Sequence, residues 1–232
     1  MNTITLNGIA SNTITGLLIQ ELPAITRPKM RVQQTTVDGR PGDIITKLGY
    51  ESYDREVSVG LHGSFDIDEV VAFFSGEGEA IFSNEPDKVY QYCFIDKADF
   101  TRLVRFRTAK IKMHCQPYKH SATEGAVAKT LSGASGSFTI TNSGNTSAKP
   151  TLDIVGSGTV QISVPGQVLQ INMANDPEVI IDCEQLEAYY GNALKNRLVT
   201  GNLNGFILAP GENTISWENA TRITLTNYSR WI

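Results

Sequence analysis

The chain has 232 residues, 41% hydrophobic and 19% charged, a globular composition large enough for one big all-β domain or two ordinary ones. Its formal net charge of −4 repels a phosphate backbone on average, which argues against stable nucleic-acid binding. No apolar run approaches the roughly 20 residues of a membrane helix, and Met1-Asn2-Thr3-Ile4-Thr5-Leu6 has neither a basic nor a long apolar stretch, so neither a membrane span nor a secretory signal is expected.

In chain order, Ile4 and Leu6 alternate with polar neighbours and predict a strand. Residues 23–49 are different. Pro23, Pro28, Gly39, Pro41 and Gly42 punctuate a polar, basic stretch with little periodicity. A connection this long inside a compact domain is uncommon and usually functional, so either a disordered loop or an arm reaching a partner is expected. Tyr53, Val57, Val59 and Leu61 then share one face of a strand, as do Tyr90, Tyr92 and Phe94 later. Between them, Asp66 with Glu69 has capping-box spacing, and Phe65 and Val70 fit the flanking hydrophobic staple. Ile67, Val70, Val71 and Phe74 make an apolar stripe and Gly76 suits the left-handed C′ position, giving one helix at about 66–75.

Residues 102–115 read as a strand that changes parity: Val104 and Phe106 are even, whereas Ala109, Ile111, Met113 and Cys115 are odd. A one-residue slip moves side chains to the other face, so a bulge or break is expected near Thr108. Arg102, Arg105, Arg107, Lys110 and Lys112 are the nearest thing to a basic patch, but they interleave with apolar residues as a solvated strand face would. Proline in Gln116-Pro117-Tyr118 cannot donate to a ladder, and beyond residue 120 charged residues give way to Ser, Thr, Gly and Asn. The expected domains are therefore 1–120 and 121–232.

The second segment looks all-β. Short alternating runs recur at Phe138/Ile140, Leu152/Ile154, Ile162/Val164, Leu169/Ile171/Met173, Val179/Ile181/Cys183, Ile215/Trp217 and Ile223/Leu225. Turn signals separate them, among them Gly156-Ser157-Gly158, Pro165-Gly166, Asn175-Asp176-Pro177 and Pro210-Gly211-Glu212-Asn213. This spacing is the pattern of a β-sandwich.

Chemistry is sparse. Cys93, Cys115 and Cys183 are odd in number and widely spaced, so reduced, buried thiols are expected. His62, His114 and His120 never pair at metal-ligand spacing, and no phosphate loop, complete dinucleotide fingerprint or nucleophile elbow occurs. Asp182, Glu184 and Glu187 could flank a sugar as paired glycosidase carboxylates do, yet alternation puts Asp182 and Glu184 on the solvent side of their strand. Neither catalytic residues, a cofactor nor a metal is expected, and the chain reads as a non-enzyme.

Several stretches together resemble the distal tail protein (Dit) family of siphophages. They are Tyr53-Asp54-Arg55-Glu56-Val57-Ser58-Val59-Gly60-Leu61, then Gly78-Glu79-Ala80-Ile81-Phe82-Ser83-Asn84-Glu85-Pro86-Asp87-Lys88-Val89-Tyr90, Arg105-Phe106 and Cys115-Gln116-Pro117-Tyr118. Asn142-Ser143-Gly144-Asn145, Lys149-Pro150 and Pro210-Gly211-Glu212-Asn213-Thr214-Ile215 extend the likeness along nearly the whole chain. The resemblance implies a mainly β protein: an N-terminal β-sandwich with one helix, and a C-terminal galectin-like or carbohydrate-module-like sandwich. It further implies a structural virion protein, made in the host cytoplasm, whose hexameric ring joins the tail tube to tail-tip, tail-associated or baseplate proteins and lets DNA pass. The tape-measure protein is a further candidate partner. Residues 23–49 would be an arm embracing the neighbouring protomer, with Arg27, Arg31, Arg40 and Asp43 as candidate interface residues, since closed rings need heterologous contacts. The alternative is a carbohydrate-binding module acting in host recognition, with Trp217, Trp231, Tyr189 and Tyr190 as stacking candidates. Galectin chemistry itself is not expected: that site needs a His-x-Asn-x-Arg strand, and the last histidine, His120, precedes the second segment.

Overall fold

The computed structural model describes residues 1–173 and 175–232 and is mainly β. It divides into two compact units, Met1–Ala122 with Ile232, and Thr123–Trp231. In the first, the elements are β1 (Ile4–Leu6), β2 (Ile9–Ala10), β3 (Leu17–Glu21), β4 (Met30–Thr36), β5 (Asp43–Tyr50), β6 (Tyr53–Leu61), α1 (Ile67–Phe73), β7 (Glu77–Phe82), β8 (Glu85–Cys93), α2 (Phe100–Phe106) and β9 (Thr108–Ser121). Seven of the strands form one antiparallel sheet in the order β2-β1-β7-β8-β9-β6-β3, while β4 and β5 pair only with each other. The core forms where one face of the sheet meets α1 and α2: Val57, Val59 and Leu61 from β6, Ile111, Met113 and Cys115 from β9, and Val70, Phe74 and Leu103 from the helices.

Two expectations in this unit need correction. Residues 100–106 are helical. The Asp99 carboxylate accepts from the Thr101 amide at 2.9 Å, and Arg107 stops the turn in the left-handed region at φ 60°. The parity change near Thr108 is therefore a helix-to-strand junction and not a bulge within one strand. So short a helix shows no apolar stripe: it buries Leu103 alone, while Val104 and Phe106 face water. The unit thus has two helices. The other correction concerns the end of α1, where Phe74 is the C-cap and Gly76, at φ 80°, lies two residues beyond it. The start is as expected in part: the Asp66 carboxylate caps α1 by accepting from the Asp68 amide at 2.9 Å.

The second unit contains β10 (Val127–Thr130), β11 (Ser135–Asn142), β12 (Thr151–Val164), β13 (Gln167–Asn172), β14 (Glu178–Asp182), β15 (Glu187–Tyr190), β16 (Ala193–Leu194), β17 (Val199–Thr200) and β18 (Gly211–Thr226) in one antiparallel sheet system. Its spine is the β12–β18 pair, with Leu152 opposite Leu225, Ile154 opposite Ile223 and Ile162 opposite Trp217. Gly156-Ser157-Gly158 does not end a strand. The register shifts at Gly156 and pairing then resumes, so the glycines mark an irregularity inside a 14-residue strand. Gly156 has no room for a side chain, because a Cβ there would lie 2.7 Å from the Asn219 carbonyl oxygen. The strand pattern is the one that burial imposes: Leu152, Ile154, Val160, Ile162, Ile215, Ile223 and Leu225 are all 0% exposed.

Cys115 and Cys183 are buried free thiols, and burial pushes both up to about 12. Cys93 is also free but only half-buried, since it ends β8 at the rim of the core.

Candidate interaction surface

The segment at residues 23–49 is not one long loop: only residues 23–29 and 37–42 lie outside strands. It carries a regular antiparallel hairpin whose register runs from Met30 opposite Tyr50 to Thr36 opposite Asp43, with one shift between Arg31 and Val32. At its base the Glu51 amide donates to the Lys29 carbonyl at 2.8 Å. At its tip Asp43 accepts from the Gln34 amide and, at 2.7 Å, from the Thr36 hydroxyl, and these two donors hold its carboxyl below the usual range. Nearly every residue of the hairpin is exposed on both faces.

The four candidate residues are spread along the hairpin and do not form one cluster. Arg27 precedes β4, Arg40 sits in the connecting turn, and Arg31 and Asp43 lie at opposite ends of the ladder. What sequence reasoning missed is apolar: Val32, Val37, Ile44, Ile45 and Leu48 are 40–61% exposed on this one projection. A lone two-stranded hairpin is at best marginally stable in water, and side chains of this size gain roughly 1.5–3 kcal/mol each when fully buried. The arrangement suits a surface that another chain covers. The signal was present in Ile44-Ile45-Thr46-Lys47-Leu48, where apolar residues fall on both parities.

At the arm's root stands a second group that sequence reading left unassigned. Arg55 shares the odd parity of Val57 and Val59 on β6 and is 2% exposed. Its guanidinium caps a pair of rings that meet edge to face, 4.7 Å from the Phe82 centroid and 4.2 Å from that of Tyr90. Glu85 gathers the neighbouring charges: Lys119 approaches at 2.8 Å and Arg55 at 3.9 Å, and the Tyr90 hydroxyl donates to it. Burial first, and the Glu85 carboxylate second, push the Tyr90 hydroxyl far above its ordinary value. Two cations thus share one carboxylate, and the aromatic faces stabilise the guanidinium that the carboxylate satisfies only in part.

The remaining candidates have plainer settings. Arg102 and Arg105 line an open groove of about 470 Å3 beside the exposed Phe106. Lys110 pairs with Glu56 at 2.5 Å, and Lys112 with Asp54 at 2.6 Å, on the outer face of β6 and β9, as a solvated strand face would. His114 meets Asp54 at 2.8 Å on the same face. Among the described residues no group of His, Cys, Asp and Glu could hold a metal ion. Asp182 accepts from the Glu184 and Gln185 amides at 2.9 Å, and Glu184 pairs with Arg230 at 2.6 Å, so two of the three carboxylates considered for sugar chemistry are engaged in turn and tether bonds. Trp217 is 5% exposed, and Tyr190 alone of the stacking candidates reaches the exposed class, at 41%.

The stretches that carry the family resemblance prove to be structural knots. Asn142, 1% exposed, donates to the Thr146 and Leu208 carbonyls at 2.9 Å and accepts from the Gly144 amide at 2.8 Å. Gly144 admits no side chain, since a Cβ would fall 1.8 Å from the Arg230 carbonyl oxygen. Asn213 fastens its turn in the same way, exchanging bonds with both polar backbone groups of Ala209 at 2.8–2.9 Å.

No family model and no curated protein matches the sequence. Among solved structures the chain is similar to the SPP1 Dit protein, described as a paradigm of the hub adsorption apparatus in phages infecting Gram-positive hosts. The identity is 16%, the TM-score 0.72, and all of both chains is covered. It is also similar to a chain of the phage P2 baseplate in its activated conformation with calcium (8% identity, TM-score 0.50, covering 100% of this chain and 98% of that one). The strontium form of that baseplate gives 8% identity and a TM-score of 0.50 over 97% and 96% of the two chains. Over its whole length, the chain has the fold of the Dit hub protein.

Proposed function

We propose that this chain is a structural protein of a phage tail hub, a non-enzymatic protomer that assembles with copies of itself through the β4–β5 arm. The observation that carries this reading is the arm itself. A lone hairpin exposed on both faces, bearing Val32, Val37, Ile44, Ile45 and Leu48, projects from a chain with a hub protein's fold. A heterologous contact, in which one patch meets a different patch on the next copy, closes a ring when the rotation per subunit allows it. Arg27, Arg31 and Arg40 are exposed and supply the polar rim of such a contact, around the apolar centre. The finer reading is a hexameric ring set between tail tube and tail-tip or baseplate proteins, with DNA passing through its lumen and the tape-measure protein a further neighbour.

The alternative, a carbohydrate module acting directly in host recognition, draws less support. Its best stacking residue, Trp217, is buried, and Gly136 lies against the indole so closely that a Cβ there would sit 3.0 Å from Cζ2.

Mass in solution tests the proposal. Light scattering on the full chain, alone and co-expressed with a tail-tip or baseplate protein of the same phage, is expected to give a hexamer in at least one preparation. A single-chain mass in both, at high micromolar concentration, would overturn it.

A further inference from the structure

Just after β3, where the chain leaves the sheet, two side chains bond to its backbone. The Asn84 amide donates to the Pro23 carbonyl at 3.1 Å, and an Arg55 guanidinium nitrogen donates to the Ala24 carbonyl at 3.1 Å. These carbonyls are consecutive, so the backbone at residues 23–24 is held from two directions at once. Pro23 and Pro28 are buried on either side of an exposed run, and proline fixes φ near −65° at both. Each proline removes one soft torsion from the link between β3 and β4.

Arg55 can hold that position because it is itself held. Glu85 balances its charge, Lys119 and the Tyr90 hydroxyl fix the Glu85 carboxylate, and the Phe82–Tyr90 ring pair supports the guanidinium from one side. Asn84 is exposed and immediately precedes Glu85 at the start of β8, whereas Arg55 lies on β6, so the two grips come from different strands of one sheet. Each donor alone would fix a carbonyl. Together they fix a direction.

We propose that Arg55 and Asn84 are positioning residues that latch the root of the β4–β5 arm, setting the angle at which it leaves the sheet. The latch is a property of the single chain. Its use, presenting a pre-aimed arm to the next copy, rests on the self-association proposed above. A pre-aimed arm binds with less ordering cost than a free one, because the entropy of orientation is lost on folding and not on assembly.

The test separates the two ideas by using two readouts on the full-length chain. Trypsin does not cut before proline, which spares the Arg27–Pro28 and Arg40–Pro41 bonds and leaves Lys29 and Arg31 as cutting sites near the root. Asn84→Asp keeps the size of the side chain and removes its donor, and Arg55→Lys keeps the charge but not the planar guanidinium whose Nη2 donates to Ala24 and faces Glu85. Both variants are compared with the wild type at the same oligomeric state, read by light scattering. Cleavage after Lys29 and Arg31 is expected to quicken about threefold to tenfold, the population change that one lost hydrogen bond of ordinary strength produces. The melting temperature of Asn84→Asp should stay within a few degrees of the wild type. Cleavage of Asn84→Asp within twofold of the wild type would overturn the latch, and so would faster cleavage everywhere in the chain. If Arg55→Lys fails to fold, Asn84→Asp decides alone, since its side chain lies at the surface. A latch that passes in a chain that never associates would sink the hub reading and leave the latch standing.

Discussion

The β4–β5 hairpin and the β12–β18 pair use the same backbone ladder and stand in opposite relations to water. In β12 and β18, alternate side chains are fully buried, and the sequence alternates accordingly. In β4 and β5 neither face is covered, and apolar residues fall on both parities with polar ones between them. Alternation is therefore the imprint of one-sided burial and not of strand conformation itself. A strand covered on neither face has no reason to display it.

The contrast can be broken first at its buried end. Ile154 is 0% exposed and opposite Ile223. Ile154→Ala should cost about 2–5 kcal/mol, the range for deleting a large aliphatic side chain from a packed core. Denaturant melts of the full chain measure it. A loss under about 1 kcal/mol would mean that the spine of the second unit repacks freely.

The cores also hold buried thiols, which the arm lacks. Burial raises the Cys115 and Cys183 thiols from 9.0 to about 12. A group whose folded value lies above its unfolded one stabilises fully below the unfolded value, and that contribution is lost as pH climbs through the folded value. Stability should thus fall between about pH 9 and pH 12, by about 1.4 kcal/mol per pH unit for each thiol at most. Urea midpoints across this window provide the check, and a midpoint that stays flat to pH 11 would contradict it. Under native conditions the half-buried Cys93 should alkylate first.

Much of the fold could be read from the residues where burial writes a pattern. The strand at 53–61 announced itself through Val57/Val59 and α1 through Asp66 and its stripe, while β12 and β18 were each read as two shorter strands, at Leu152/Ile154 with Ile162/Val164 and at Ile215/Trp217 with Ile223/Leu225. The misses share one physical origin, a local signal without the usual partner. Seven residues of α2 bury only Leu103, so Val104 and Phe106 looked like a strand. Gly156-Ser157-Gly158 looked like a turn because glycine also serves where two backbones crowd, here beside Asn219. Arg55 shared the parity of Val57, but charge disguised a core position that two aromatic rings make tolerable. Around the interface candidates, the punctuation set residues 23–49 apart, and the hairpin strands fall at Met30–Thr36 and Asp43–Tyr50. Its apolar content was passed over because it follows no period.

At the exposed end the contrast predicts a small effect on stability and a separate one on mass. Ile45 is 61% exposed, so Ile45→Lys should shift stability by no more than about 0.5 kcal/mol. If a neighbouring copy covers the arm, the same change should lower the mass seen by light scattering at a given concentration. A stability loss comparable to that of Ile154→Ala would show instead that Ile45 packs within its own chain.

The smallest expected effect is none at all: the full chain should not bind lactose or galactose at millimolar concentration. Sugar recognition of the galectin kind needs an exposed aromatic face for the apolar side of the ring and a polar trio that fixes hydroxyl positions by directional bonds. Trp217 supplies no such face, being 5% exposed, opposite Ile162 on β12, and covered by the Gly136 backbone on β11. The open grooves beside it, of about 310 and 300 Å3, present Ser135, Ser137, Gln161, Ser163 and Glu218, but no histidine and no arginine. A shared sandwich architecture does not transfer a site that the residues do not build. Trp217→Ala should therefore act on stability, costing about 3–5 kcal/mol as a buried aromatic deletion does, without any sugar affinity to lose. Calorimetry of the wild type against lactose decides the matter. Saturable heat that Gly136→Ala abolishes while the fold survives would place a sugar against Trp217, and the buried face of the second unit would have to be read as a binding face.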